Sequence, residues 1–178
     1  MNFNTKKALY QFSASLSEKV YNKNDFREFG IANGFEKKNQ RRLDREVDFI
    51  GFHRVRACII FDGQTIFIVF KGSDSIGDWI SNISKYTDSF VNVPAKPFLD
   101  KGKCVQSFYS CYSALKKVVR KKVSNFVNKN PNADIHITGH SLGGGMALLC
   151  CSDFFNNQLA GYQNIKSLIT FGQPKIVN

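Results

Sequence analysis

A serine between two glycines, where a short apolar run turns into a helix, has the surroundings of a nucleophile. Residues 134–148 read Asp-Ile-His-Ile-Thr-Gly-His-Ser-Leu-Gly-Gly-Gly-Met-Ala-Leu. The run 135–138 reads as a strand and the residues from Leu142 on as a helix. Gly139-His140-Ser141-Leu142-Gly143 between them is G-x-S-x-G in the strand–turn–helix setting of a nucleophile elbow. A turn that sharp needs neighbours without side chains, which Gly139 and Gly143 supply. Gly144 and Gly145 let the new helix lie close to the sheet. The Ser141 hydroxyl then stands above the strand end, with the first helix amides aimed at a reacting carbonyl. The plainer alternative is a glycine-rich strand-to-helix turn with an idle serine.

A serine hydroxyl attacks an ester only if a base takes its proton and an acid orients that base. Three histidines are available, His53, His136 and His140. His140 adjoins Ser141, and its ring is expected to point away from the hydroxyl. His136 lies back along the strand, where it belongs to the core or a sheet face, and His53 precedes a hairpin. The acid after Ser141 is Asp153, twelve residues on. At about 1.5 Å per helical residue it lies roughly 18 Å away. The expectation is a nucleophile with no base or acid of its own, and very weak or no esterase activity for this chain alone.

The elements that must position Ser141 are legible in outline. Residues 5–21 have the apolar spacing of a helix with one buried face. The charge-dense stretch 36–48 reads as a surface helix or loop. Residues 55–61 and 65–70 are rich in Val, Ile and Phe, with Asp62-Gly63 between them, and predict a hairpin. The second run is apolar throughout, which suggests burial on both faces. Residues 88–103, with Pro94, Pro97 and Gly102, read as a loop. Residues 106–130 form an amphipathic helix that stops before Pro131. A further strand follows at 165–171. Strand, helix, strand, helix, strand argues a single α/β domain over 1–178 with a mostly parallel sheet and helices on both faces. Chemistry collects at the carboxyl ends of such strands, so Ser73, just after 65–70, is placed to reach the crevice of Ser141.

Composition narrows the class. A hydrophobic fraction of 43% fits a globular chain, and no apolar run approaches the roughly 18 residues of a membrane span. Residues 1–20 lack the apolar core of a signal peptide, which suggests a cytoplasmic protein. Five cysteines without zinc-like spacing read as reduced, mostly buried thiols. A net charge of +11 is read first as a solvated basic surface, then as attraction to an anionic membrane. Nucleic-acid binding is not expected, because the aromatic-rich and paired-finger signatures are absent.

Three stretches together resemble the class 3 lipase family of α/β-hydrolases. Phe70-Lys71-Gly72-Ser73-Asp74-Ser75-Ile76-Gly77-Asp78-Trp79 is similar to F-R-G-[ST]-x-S-x-x-[DN]-W. Thr138-Gly-His-Ser-Leu-Gly-Gly-Gly145 is similar to T-G-H-S-L-G-G-A, and Thr170-Phe-Gly-Gln-Pro-Lys-Ile-Val-Asn178 to T-F-G-x-P-R-V-G-N. The resemblance implies Ser141 as nucleophile, Ser73 and the Leu142 amide as the oxyanion hole, and residues 76–82 with Trp79 as the start of a lid. It implies a lipid or ester substrate, acylglycerol or phospholipid, and no cofactor or metal. The family's acid and histidine follow the third motif, so this chain corresponds to an amino-terminal portion, C-terminally incomplete, with an open sheet edge at 165–171 for pairing. Lys71 replaces the usual arginine, and Val105-Gln106-Ser107-Phe108 stands where V-H-x-G-F is usual. The second reading is a non-catalytic lipid-binding or protein-interaction module on the same fold.

Overall fold

A computed structural model describes residues 5–49, 52–74, 90–93 and 102–176. The helices are α1 (Lys6–Lys19), α2 (Lys23–Ala32), α3 (Gln106–Val127) and α4 (Leu142–Asn156). The strands are β1 (Gln40–Phe49), β2 (Phe52–Phe61), β3 (Thr65–Phe70), β4 (Phe90–Val93), β5 (Gly102–Val105), β6 (Asp134–His140) and β7 (Ile165–Phe171). Five of these strands make one sheet in the order β1-β2-β3-β6-β7, while β4 and β5 pair separately and antiparallel.

The α/β architecture stands, and the sheet is mixed. The pairs β1–β2 and β2–β3 are antiparallel, and β3–β6 and β6–β7 are parallel. Connection length decides this, because a tight turn can only reverse the chain, whereas a crossover returns it in the same direction. The β2–β3 turn is held by Asp62, whose Oδ1 accepts from the amides of Gln64 at 2.9 Å and Thr65 at 2.7 Å. Helices α3 and α4 lie on the crossovers.

Side chains of β3 alternate between two cores, and the whole strand is buried. Ile66, Ile68 and Phe70 join Leu115, Val119 and Val123 of α3 and Met146 and Cys150 of α4. Phe67 and Val69 join Phe12 and Leu16 of α1 and Phe26 of α2. Helices therefore cover both faces, as expected.

Three local readings change. The stretch 36–48 holds a short 3₁₀ turn, Lys37–Asn39, and then strand β1. Its inward residue Leu43 is buried among charged neighbours, which hid the alternation; Arg42 and Arg56 pair with Asp44 at 2.7 and 2.8 Å. Charged side chains suit an edge strand, where they oppose pairing with another chain. Helix α2 was not anticipated; Asn22 caps it, accepting from the amides of Asn24 and Asp25. Within 88–103, residues of β4 and β5 form a ladder where a loop was expected. The expected lid segment 76–82, with Trp79, lies outside the described residues.

All five cysteines are free and buried. Burial pushes the Cys58, Cys104 and Cys111 thiols up to about 12, and Cys151 to about 11. They are protonated at neutral pH and poor nucleophiles. Among the described residues, no helix is long and apolar enough to cross a membrane.

Candidate active site

Three parallel strands end together. Phe70 of β3 pairs with Gly139 of β6, and Gly139 with Thr170 of β7. The chain beyond these ends supplies Lys71–Asp74, Ser141 and Gly172–Ile176, the three motif stretches. These are the carboxyl ends of the parallel strands, the end of an α/β sheet outside which ligands bind.

Ser141 occupies the bend between β6 and α4 with φ 55° and ψ −122°. A residue bearing a Cβ avoids that region, at a cost of about 1–3 kcal/mol. Its amide donates to the Phe171 carbonyl at 2.9 Å, and its carbonyl accepts from the Gly144 amide at 2.9 Å. The bend is thereby clamped to β7 on one side and to the helix on the other. None of the described residues hydrogen-bonds the Ser141 hydroxyl. The first amides of α4, Leu142 among them, have no carbonyl one turn earlier to bond.

The glycines flanking Ser141 are required by close approach. A Cβ on Gly139 would lie 2.4 Å from the Gly143 carbonyl oxygen, and one on Gly143 would lie 2.2 Å from the Phe70 carbonyl oxygen. Both obstacles are backbone, so no rotamer change relieves them. Gly143→Ala is expected to destabilise the fold by about 3 kcal/mol, as overpacking in a closed site does. It should also move the end of β3 away from the elbow. Urea unfolding measures the first effect; a Gly143→Ala chain as stable as the wild type would show that the elbow yields.

The loop carrying Ser73 is held against the elbow. A Cβ on Gly72 would meet the His140 carbonyl oxygen at 2.6 Å and the Tyr21 hydroxyl at 2.3 Å. Tyr21 Oη lies 3.1 Å from His140 Nδ1, and Lys71 Nζ stands 5.4 Å above the Tyr21 ring. Lys71 also pairs with Asp74. Burial raises the Tyr21 phenol, with the Asp74 charge acting the same way; the Gly72 backbone hydrogen bond opposes both. The phenol therefore stays protonated. The structure brings Ser73, Ser141 and Leu142 to one rim of the sheet, with Ser73 half-buried.

The remaining titratable candidates are placed elsewhere. His136 stacks on Phe67 with centroids 4.9 Å apart, and its Nδ1 lies 2.7 Å from Ser167 Oγ. Burial lowers its pKa, so the ring is neutral at pH 7. His140 is turned to Tyr21, and the His53 side chain lies outside the described ones. Asp153, on the far half of α4, is bound by Arg120, Lys116 and Tyr112. Among the described residues, no group of His, Cys, Asp and Glu is placed to hold a metal ion.

Sequence reasoning missed the support beneath the elbow. Ser17 Oγ and Thr138 Oγ1 lie 3.0 Å apart, buried, and Arg56 reaches the Tyr21 carbonyl at 3.3 Å. A signal was present. Ser17 falls on the α1 face that carries Phe12 and Leu16, and a buried hydroxyl there calls for a partner, which Thr138 supplies; Ser13 Oγ on the same face meets none among the described residues.

The chain is similar to known proteins in sequence and in fold. A family model described as lipase (class 3) matches residues 67–178. A lipase of Rhizomucor miehei is 33% identical over 113 residues, 64% of this chain and 30% of that protein. A chloroplastic phospholipase A1 of Arabidopsis thaliana is 25% identical over 111 residues, 60% of this chain and 15% of that one. The solved Rhizomucor miehei triacylglyceride lipase superposes with a TM-score of 0.70 at 24% identity, covering 99% of this chain and 65% of that chain. The match to the Rhizomucor lipase sequence thus spans about a third of that relative.

Proposed function

The chain belongs to the class 3 lipase family, and on that footing we propose that it carries the nucleophile half of a serine ester hydrolase acting on acylglycerol or phospholipid esters. Ser141 Oγ bonds to the ester carbonyl carbon and gives up its proton to a base. The carbonyl electron pair moves onto oxygen, where the Leu142 amide and Ser73 stabilise it. When that pair returns, the bond to the alcohol breaks, and the alcohol leaves with the proton. Water then releases the acyl group from Ser141 by the same steps. The two substrate classes are supported by the relatives, a lipase and a phospholipase A1.

The observation that carries the reading is the strained Ser141 bend, with the Ser73 loop packed against the residue before it. Neither His136 nor His140 is turned to serve as the base. The base and its acid then come from residues outside the described ones, of this polypeptide or another. The outer edge of β7, whose residues are mostly half-buried, offers a place to pair. Without them turnover is expected to fall by roughly 10⁴–10⁶, the loss seen when triad members are removed.

The basic surface and the unserved nucleophile also suit a non-catalytic lipid-binding module on the same fold. A fluorophosphonate probe separates the two readings. Labelling that maps to Ser141 on a folded sample supports the hydrolase. No labelling of a sample that melts cooperatively, with imidazole added to stand in for the base, supports the module.

A further inference from the structure

Part of the +11 charge lines a pocket. On the sheet face covered by α1 and α2, a small pocket of about 60 Å³ opens between α2, the 3₁₀ turn and β1. Its walls carry Lys23, Arg27, Lys37, Arg41 and Arg42, and its floor is Val20 and Phe26. It has no carboxylate in its lining. Asp44 is engaged by Arg42 and Arg56, and Glu36 pairs with Lys38 at 2.8 Å. The helical period turns Asp25 and Glu28 away from Lys23 and Arg27, which are four residues apart on one side of α2. Among the described residues, Lys23, Arg27, Lys37 and Arg41 have no acidic partner.

Like charges held this close repel one another, and a bound anion removes that repulsion. The volume admits a few water-sized groups and no acyl chain, so the pocket selects a charged head over a tail. Its position matters as well. Val20 is followed by Tyr21, which meets His140 beside Ser141. The pocket thus flanks the end of the sheet where the ester site lies. We propose that it binds the phosphate of an anionic phospholipid headgroup and holds that end of the molecule against a lipid surface.

The proposal needs nothing of Ser141, so it is tested in the full chain carrying Ser141→Ala, where failure leaves the hydrolase reading untouched. The probe is sedimentation with vesicles of phosphatidylcholine, alone or mixed with phosphatidic acid. Binding is expected only to the mixed vesicles. Lys23→Gln/Arg27→Gln/Lys37→Gln should weaken it about 100-fold, the sum of three basic residues near an anionic surface. Lys117→Gln/Lys121→Gln/Lys122→Gln removes the same charge from α3, across the sheet, and should change binding by no more than about threefold. Equal losses in the two variants mean that only net charge matters, and overturn the proposal. If inorganic phosphate raises the melting temperature of the parent but not of the pocket variant, and mixed vesicles do not bind, the ligand is free phosphate and the lipid assignment is wrong. Should the triple variant fail to fold, Arg27→Gln and Lys37→Gln singly are each expected to lose about fivefold, and no loss in either overturns the proposal.

Discussion

Ser141→Gly is expected to raise the melting temperature while reducing fluorophosphonate labelling to background, and Ser141→Ala to abolish labelling without the gain in stability. Both variants lack the hydroxyl, so both lose the covalent reaction entirely. They differ only in the Cβ. At φ 55° and ψ −122° that atom strains the backbone by about 1–3 kcal/mol. Glycine releases the strain and adds about 0.5–1 kcal/mol of chain entropy lost on folding. The net gain is about 1 kcal/mol, or about 2–4 °C for a domain of this size. Alanine keeps the Cβ and with it the strain. Thermal melting of the two variants side by side checks the difference. Equal midpoints would mean that the bend is relaxed and that nothing holds the serine there for chemistry. A stable glycine variant that still labels would move the nucleophile elsewhere.

The second large effect lies away from the ester site. Asp153→Asn is expected to cost about 3 kcal/mol, because it leaves two cations facing a neutral group in a half-covered site. The Asp153 carboxylate accepts from Tyr112 Oη at 2.8 Å, Arg120 Nε at 2.8 Å and Lys116 Nζ at 3.1 Å. These bonds join α3 to α4, the helix that Ser141 opens. Burial is the largest single influence on this carboxyl and pushes its pKa up. The hydrogen bonds from Arg120, Tyr112 and Lys116 together outweigh it and hold the carboxyl below the usual range. A depressed folded-state pKa contributes stability above the unfolded value, about 3.9 for Asp, and loses it as pH falls through the folded value. The difference between wild type and Asp153→Asn should therefore be full at pH 7 and shrink below about pH 4. Urea unfolding at both pH values measures it. A difference that persists undiminished in acid would mean that Asp153 acts through shape and not through its charge.

Some of this molecule was legible because it is written over a few adjacent residues. The all-apolar run 65–70 announced a strand buried on both faces, and β3 is buried along its whole length. Asp62-Gly63 announced the turn, and the Asp62 side chain closes it. The apolar stripe from Phe108 to Val127 announced α3, which lies on the sheet as expected. β1 was not legible. Among its described side chains, residues 40–46, Leu43 is the one that is apolar and buried, the rest being polar or charged, and β1 is a strand because β2 offers a ladder from Ile60 to Phe52. The local pattern could not report a partner that is met only after the chain reverses. The mixed character of the sheet was implied by the expected hairpin, since a tight turn imposes antiparallel pairing.

By itself the sequence determined the elbow: glycines at 139 and 143, a serine between them, a strand before and a helix after. Steric exclusion at a sharp bend is a local matter, and the residue types record it. Folding alone decided what lies beneath and beside that bend. Tyr21 meets His140 across 119 positions, Ser17 meets Thr138 across 121, and Arg120 meets Asp153 across 33. Which side chains meet across such distances depends on the order of the strands and the face each helix covers. That order is set when the sheet is assembled around its two cores, and no window of neighbouring residues contains it.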